Sequence, residues 1–367
     1  MLSTGSYLPG EPITNEQLET YAGGLPEDVL EGIQTKTRHW VADPETGEQS
    51  ETNSDMAHKA SVEALELAGL TPEDVDLLVV STASPEYHLP PTSTFVQEKL
   101  GIDRLPAADI RSGCAGAVEA LEFARMYLES GRYETALVVG SEAISPLIVP
   151  VFLGQDASRV RMRDRLGVYA FGDGAGAMVL RGEDGDGDGV NGSVIASVGG
   201  GRKPGMQVIG GGTHAPVHEQ LAAKRLVEMK VDVVESGRYT PYVLTDALKD
   251  TLAASGAEAG SIDMCVIPEG NATYMTDELR EAGLLTPEWT TLEPKIFENL
   301  ALVGATGSAA VPLALDYAWK TGAVHQGDMV MLLAIETSKW KYGGWVFPWT
   351  AAAVPDDKAV PAAAAPA

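Results

Sequence analysis

Ala64-Leu65-Glu66-Leu67-Ala68-Gly69-Leu70 runs on into Val75-Asp76-Leu77-Leu78-Val79-Val80: a helix end, a glycine turn and a continuously apolar strand. The pattern recurs as Thr251-Leu252-Ala253-Ala254-Ser255-Gly256-Ala257 before Ile262-Asp263-Met264-Cys265-Val266-Ile267, with Gly69 matching Gly256 and Asp76 matching Asp263 at an offset of 187. A second pair follows. Tyr127-Leu128-Glu129-Ser130-Gly131 before Ala136-Leu137-Val138-Val139 matches Ala318-Trp319-Lys320-Thr321-Gly322 before Met329-Val330-Met331-Leu332-Leu333, at an offset of 191 at the glycines. Each copy reads helix, turn, buried strand, loop, helix, turn, strand. Apolar strands alternating with amphipathic helices form α/β units whose sheets are covered on both faces. Two such units predict a duplicated, layered fold with a pseudo-twofold axis.

The copies divide the chain into an N-terminal half, residues 1–182, and a C-terminal half, residues 183–350. They meet in Gly182-Glu183-Asp184-Gly185-Asp186-Gly187-Asp188-Gly189. That run lacks the twelfth-position Glu of an EF-hand loop and is expected to be a solvated connection, not a calcium site. Residues 351–367, biased to Ala and Pro, are expected to form a disordered tail.

Composition excludes several function classes. The chain has 367 residues, 44% of them hydrophobic, enough for a large core. Cys114 and Cys265 stand in separate apolar contexts without metal-ligand spacing, so neither zinc nor a disulfide framework is expected, and a reducing cytoplasmic setting fits. There is no charged-then-apolar leader, and the longest strongly apolar stretch, Met329 to Ile335, is too short to cross a bilayer. With 26 basic and 52 acidic residues the formal charge is −26, which repels nucleic acid and anionic membranes. One basic cluster, Arg159, Arg161, Arg163 and Arg165, is either a dock for an anionic partner such as a phosphopantetheine carrier or a solvated face paired to the chain's own carboxylates.

Asp109-Ile110-Arg111-Ser112-Gly113-Cys114-Ala115-Gly116-Ala117 joins a short strand to a helix running through Glu119, Leu121, Ala124 and Leu128. A cysteine capping a helix there, between small neighbours, has its thiolate favoured by unpaired N–H groups and the helix dipole. That is a nucleophile's setting. The offset of 191 places Ala305, in Gly304-Ala305-Thr306-Gly307-Ser308, opposite Cys114, so the active centre is expected where the two helix N-termini converge.

Five segments in order resemble the ketoacyl-ACP synthase III branch of the thiolase superfamily: Thr4 to Pro9 with Thr14-Asn15; Asp109 to Ala117; Val138-Val139-Gly140-Ser141-Glu142; Phe171-Gly172-Asp173-Gly174-Ala175-Gly176-Ala177; and Thr306 to Leu315. The resemblance implies a five-layered αβαβα fold, a homodimer, and Cys114 as the residue acylated by a CoA or carrier-protein thioester. No cofactor or metal is implied beyond the phosphopantetheine or CoA thioester substrate. Departures accompany the match. The family's Pro-His-Gln-Ala-Asn segment meets Pro268-Glu269-Gly270-Asn271-Ala272, so its histidine has become Glu269. Its Gly-Asn-Thr-Ser segment meets Gly304-Ala305-Thr306-Gly307, so its asparagine has become Ala305. Its C-terminal Gly-Gly-Gly segment, a source of an oxyanion-hole N–H, meets Glu336-Thr337-Ser338-Lys339. Pro26 and Leu30 stand at the Trp and Arg positions linked to CoA adenine, favouring a carrier protein as donor, and Asn271 is read as structural.

A His-Asn pair donates hydrogen bonds to the enolate oxygen formed as carbon dioxide leaves; an ionised glutamate and an alanine cannot. Glu269, following an apolar strand, is the candidate general base for a small-molecule acceptor. The loop Ser84 to Pro91, which in the family lines the partner subunit's tunnel, singles out Glu86, His88 and Leu89, with His214 and His218 weaker candidates. The reading is an acyltransferase or non-decarboxylative condensing enzyme of polyketide- or fatty-acid-derived specialised metabolism. It passes an acyl group through Cys114 to a hydroxyl, amine or carbon acceptor. The alternatives are a decarboxylative 3-oxoacyl-ACP synthase III and a non-catalytic thiolase-fold partner subunit.

Overall fold

The computed structural model describes residues 1–183, 189–223, 227–268 and 270–360. Glu269 and most of the Asp-Gly run, including the expected solvated connection, lie outside the described residues. The first sheet comprises β1 (Ser3–Tyr7), β2 (Leu77–Ser81), β3 (Ala107–Ile110), β4 (Thr135–Glu142) and β5 (Gly174–Arg181), in the order β1-β5-β4-β2-β3. The second comprises β6 (Gly192–Ser197), β7 (Met264–Val266), β8 (Ile296–Phe297), β9 (Met329–Glu336) and β10 (Lys341–Pro348), in the order β6-β10-β9-β7-β8. The orders are identical once five is added to each label. Directions repeat as well: β2, β3 and β4 are mutually parallel with β5 and β1 added antiparallel, and β7, β8 and β9 are parallel with β10 and β6 added antiparallel. The two sequence copies thus fold as two copies of one α/β unit.

The matched glycines explain the precision of the repeat. Gly69, Gly256, Gly131 and Gly322 have φ of 67°, 64°, 68° and 72°. Each occupies the left-handed region after a helix, where only a residue without Cβ sits without strain, and each turns the chain into a strand.

Helices α1 (Asn53–Leu67) and α2 (Thr92–Lys99) cover one face of the first sheet through Met56, Ala60, Ala64 and Val96. Helices α4 (Val233–Ser255) and α5 (Ala272–Glu281) cover the outer face of the second through Val243, Leu244, Met275 and Leu279. Between the sheets lie α3 (Gly116–Glu129) and α6 (Ala310–Lys320), whose Val118, Leu121, Val311 and Leu315 share one core with residues of both sheets. These are the five layers. β2 and β4 are buried at every position, as the apolar runs Leu77-Leu78-Val79-Val80 and Ala136-Leu137-Val138-Val139 within them require.

The chain after Trp349 departs from the expected disordered tail over residues 351–360. Ala351 is buried, the Trp319 indole donates to the Ala352 carbonyl at 2.9 Å, and the Val360 N–H donates to the Lys320 carbonyl at 2.9 Å. The apolar side of α6 is long enough to hold this segment down. Residues 361–367 lie outside the described residues.

Candidate active site

Asp109 in β3 sets the approach to Cys114. Its carboxylate accepts the N–H groups of Thr92 and Ser93 at 2.7 and 2.8 Å, capping α2 and fixing the strand end. The chain then turns tightly, with the Gly116 N–H donating to the Gly113 carbonyl at 2.7 Å. α3 starts at Gly116 with Ala115 as its cap. Cys114 therefore stands one residue outside the capping position expected for it, half-buried in the turn. Small residues are required here: a Cβ on Gly116 would lie 2.1 Å from Ser81 Oγ.

The second half reaches this turn through Ser308. Its hydroxyl hydrogen-bonds to the Ser112 carbonyl at 2.8 Å and lies 3.1 Å from that of Gly113, and it accepts from Ser81 Oγ at 3.1 Å. The convergence of the two loops is thus borne by Ser308. Ala305 uses its backbone elsewhere, its N–H donating to the Ala170 carbonyl at 2.8 Å and its carbonyl accepting from the Gly172 N–H at 3.2 Å. Thr306 is buried, and its Oγ1 has no hydrogen-bond partner among the described residues.

Glu142 locks the junction from the end of β4. Its carboxylate accepts the N–H groups of Ala83, Ser84 and Ser308 at 2.9, 2.9 and 3.1 Å, and the Ser84 hydroxyl as well. Burial pushes its carboxyl above the ordinary carboxylate range, against the opposing pull of these donors. Nothing in the sequence marked Glu142 beyond its place in a family-like segment, because its partners come from 58 to 166 positions away.

A cavity of about 910 Å³ opens beside the turn. Ser112, Gly113, Arg111, Glu336, His88 and Glu86 are among its walls. The loop expected to line a partner subunit's tunnel also makes contacts within its own chain. Glu86 Oε1 accepts the Ser54 N–H at 2.8 Å, in the first turn of α1, and His88 packs on Gly211, where a Cβ would lie 2.9 Å from its Nε2. Leu89 is 80% exposed. His214 and His218 are exposed and are not among these walls, although Gly211, Val217 and Gln220 around them are.

Other sequence candidates have structural duties. Asn271 caps α5, its Oδ1 accepting the Tyr274 N–H at 2.9 Å. The basic cluster divides: Arg165 donates to the carbonyls of Gly24, Ala157 and Val160, while Arg161 pairs with Asp164. Among the described residues no group of three or more His, Cys, Asp or Glu side chains is arranged to hold a metal, and no helix is long and apolar enough to cross a membrane.

Two mirrored α/β units meeting over a cysteine at a helix start define the thiolase class of acyl-transferring and condensing enzymes. The chain belongs within it to the 3-oxoacyl-[acyl-carrier-protein] synthase III family, whose N-terminal model matches residues 108–199 and whose C-terminal model matches residues 252–347. It is 33% identical over 334 residues to the β-ketoacyl-[acyl-carrier-protein] synthase III of Caldanaerobacter subterraneus, spanning 91% of this chain and 93% of that one. A solved structure described as AbyA1, a tetronic acid condensing enzyme, is 30% identical with TM-score 0.75, covering 95% of this chain and 99% of that one. The 3-oxoacyl-(acyl carrier protein) synthase III of Pseudomonas aeruginosa, at 22% identity and TM-score 0.78 over 96% of this chain and 98% of that one, shares the fold.

Proposed function

We propose that this enzyme transfers an acyl group through Cys114 to an acceptor without decarboxylation. Ala305 carries the reading: the position matching the family's enolate-binding asparagine ends in a methyl group, and its backbone N–H and carbonyl are committed to Ala170 and Gly172. With Glu269 in the matching histidine's place, neither donor to a developing enolate remains, while the turn that activates a thiolate is kept. A carboxylate suits the opposite task, accepting a proton from a hydroxyl, amine or acidic carbon, and Glu269 is the sequence's candidate. The likeness to a tetronic acid condensing enzyme supports a role in specialised metabolism.

In this reading the donor is a phosphopantetheine thioester, on a carrier protein in preference to CoA. The enzyme works as a homodimer in the reducing cytoplasm, where Cys114 stays reduced. Incubation with acyl-pantetheine, acyl-CoA and malonyl-CoA, followed by intact mass and carbon dioxide measurement, tests it. The expected result is an acyl adduct absent from Cys114→Ala and no carbon dioxide above background. Stoichiometric carbon dioxide from malonyl-CoA would overturn transfer in favour of decarboxylative synthesis. No adduct from any thioester would leave only the non-catalytic reading.

A further inference from the structure

Glu336 ends β9 and reaches the nucleophile turn from the second half. It is 2% exposed. Oε1 accepts the Ser338 N–H at 2.7 Å, while Oε2 has no hydrogen-bond partner among the described residues. That buried, unsatisfied oxygen is aimed at the residue before Cys114: a Cβ built on Gly113 would lie 2.0 Å from Oε2 and 2.9 Å from Cδ. Among the described residues no ion pair reaches it. Lys341, its cross-strand neighbour, places its ammonium against Glu119 on α3. Burying a carboxylate with one oxygen unsatisfied costs several kcal/mol, and an apolar residue like the preceding Ile335 would close the strand without that cost. Glu336 lines the same cavity as Ser112 and Gly113, where the other charged or titratable walls are Glu51, Glu86, Tyr87, His88 and Arg111. A bound molecule presenting an O–H or N–H is what would satisfy Oε2.

We propose that Glu336, in place of the sequence's candidate Glu269, is the proton acceptor for the group that receives the acyl chain, a role that rests on acyl transfer through Cys114. Oε2 accepts a hydrogen bond from an acceptor alcohol or water beside acyl-Cys114. As the new C–O bond forms, the O–H proton passes to Oε2. The tetrahedral intermediate then collapses, the C–S bond breaks, and the Cys114 thiolate recovers that proton, leaving ester or acid and the starting enzyme. The reaction requires no further reagent. Glu336 thus assigns the cavity to hydroxyl-bearing acceptors, with the carboxylate entering from β9 and the nucleophile from α3.

The test separates acylation from release. Wild type, Glu336→Gln, Glu336→Asp and Glu269→Gln are each acylated at Cys114 with hexanoyl-pantetheine. Loss of the adduct is then followed by intact mass in buffer, in glycerol and in hydroxylamine, the last a nucleophile needing little base assistance. Glu336→Gln is expected to acylate normally yet release to water and glycerol about 100-fold more slowly or worse, with hydroxylamine release nearly unchanged and partial recovery in Glu336→Asp. Release by Glu336→Gln to glycerol and water at the wild-type rate would overturn the proposal. So would loss confined to Glu269→Gln, an equal slowing with hydroxylamine, or a wild-type adduct inert to both water and glycerol. Should Glu336→Gln not fold, Glu336→Asp, which retracts the carboxylate by one methylene, carries the same comparison. Failure of wild type to acylate at all would sink the transfer reading itself, a result distinct from failure at release.

Discussion

At the scale of single residues, Gly113 is held small by a carboxylate and not by its backbone. Its φ lies outside the left-handed region, so the cost of a methyl group there is the clash with Glu336 alone. Gly113→Ala is expected to lower unfolding stability by about 1–3 kcal/mol, the range for overpacking a filled site, and to slow acylation of Cys114 by displacing the turn. Removing the obstacle should remove the penalty. In a Glu336→Ala background the same substitution is expected to cost well under half as much, which denaturant unfolding of the two single variants and the double variant reads directly. Equal costs in both backgrounds would show that Gly113 is constrained by something else. The turn carrying Cys114 was legible in the sequence because small neighbours and a strand-to-helix junction are local features. Glu336 was legible only as an odd residue where the family has glycine. Its burial and its aim at Gly113 depend on two segments more than two hundred residues apart, and no local pattern encodes that.

At the scale of elements, one short segment, Gly307–Ala309 ahead of α6, joins the second half to the turn of Cys114. Ser308 hydrogen-bonds through its side chain to the nucleophile turn and through its backbone N–H to Glu142, so it ties β4, the turn and α6 together. Ser308→Ala keeps the backbone bond but strips the Ser112 and Gly113 carbonyls of a donor in a buried setting. A loss of about 1–3 kcal/mol in stability is expected, together with a slower first acylation of Cys114. A melting curve and a single-turnover mass measurement check the two effects, and an unchanged acylation rate would mean that the turn is held by α3 alone. The layered architecture was readable because apolar runs and left-handed glycines repeat at fixed offsets, a signal carried by the chain itself. The Ala305 loop was placed near the nucleophile by the same offset, but the contact fell to Ser308, three residues on. A one-turn helical segment, Leu300–Val303, and Gly304 with φ 72° lie between β8 and that loop, so the offset that aligns the strands does not align the loop. The sequence singled out the loop from Ser84 to Pro91 for a partner subunit's tunnel; that residues 84–88 line a cavity of their own chain was not legible, nor was the use of Glu86 to accept the Ser54 N–H, since those two are 32 residues apart.

At the scale of the whole molecule, charge and burial combine to set the pH of greatest stability. Asp173 is buried at the first half's inner junction, accepting the N–H groups of Val41, Ile144 and Ser145 at 2.8, 2.6 and 2.8 Å. Burial outweighs those donors and pushes its carboxyl up to about 6 from an ordinary 3.8. Between those values the folded chain binds the proton more tightly than the unfolded chain. The contribution is therefore fully present below about 3.8 and lost as pH rises through about 6, an effect on the order of 2–3 kcal/mol. The formal charge of −26 acts in the same direction, since every proton taken up between pH 8 and 6 lowers self-repulsion in the compact state. Asp55 acts oppositely at lower pH: hydrogen bonds from Lys99 and Thr52 overcome its burial and hold it at about 2, so its contribution is present above its ordinary value and disappears as pH falls toward about 2. Stability should rise from pH 8 to a maximum between about 4.5 and 6 and decline on further acidification. Urea unfolding across this range, repeated with Asp173→Asn, separates the two causes. The variant is expected to be less stable throughout, because an amide cannot accept from all of those donors, and to have a shallower rise between pH 7 and 5. Added salt should stabilise both proteins at pH 8 by screening the net charge, and less so near pH 5. An unaltered slope in Asp173→Asn would assign the whole rise to net charge and remove Asp173 from the account.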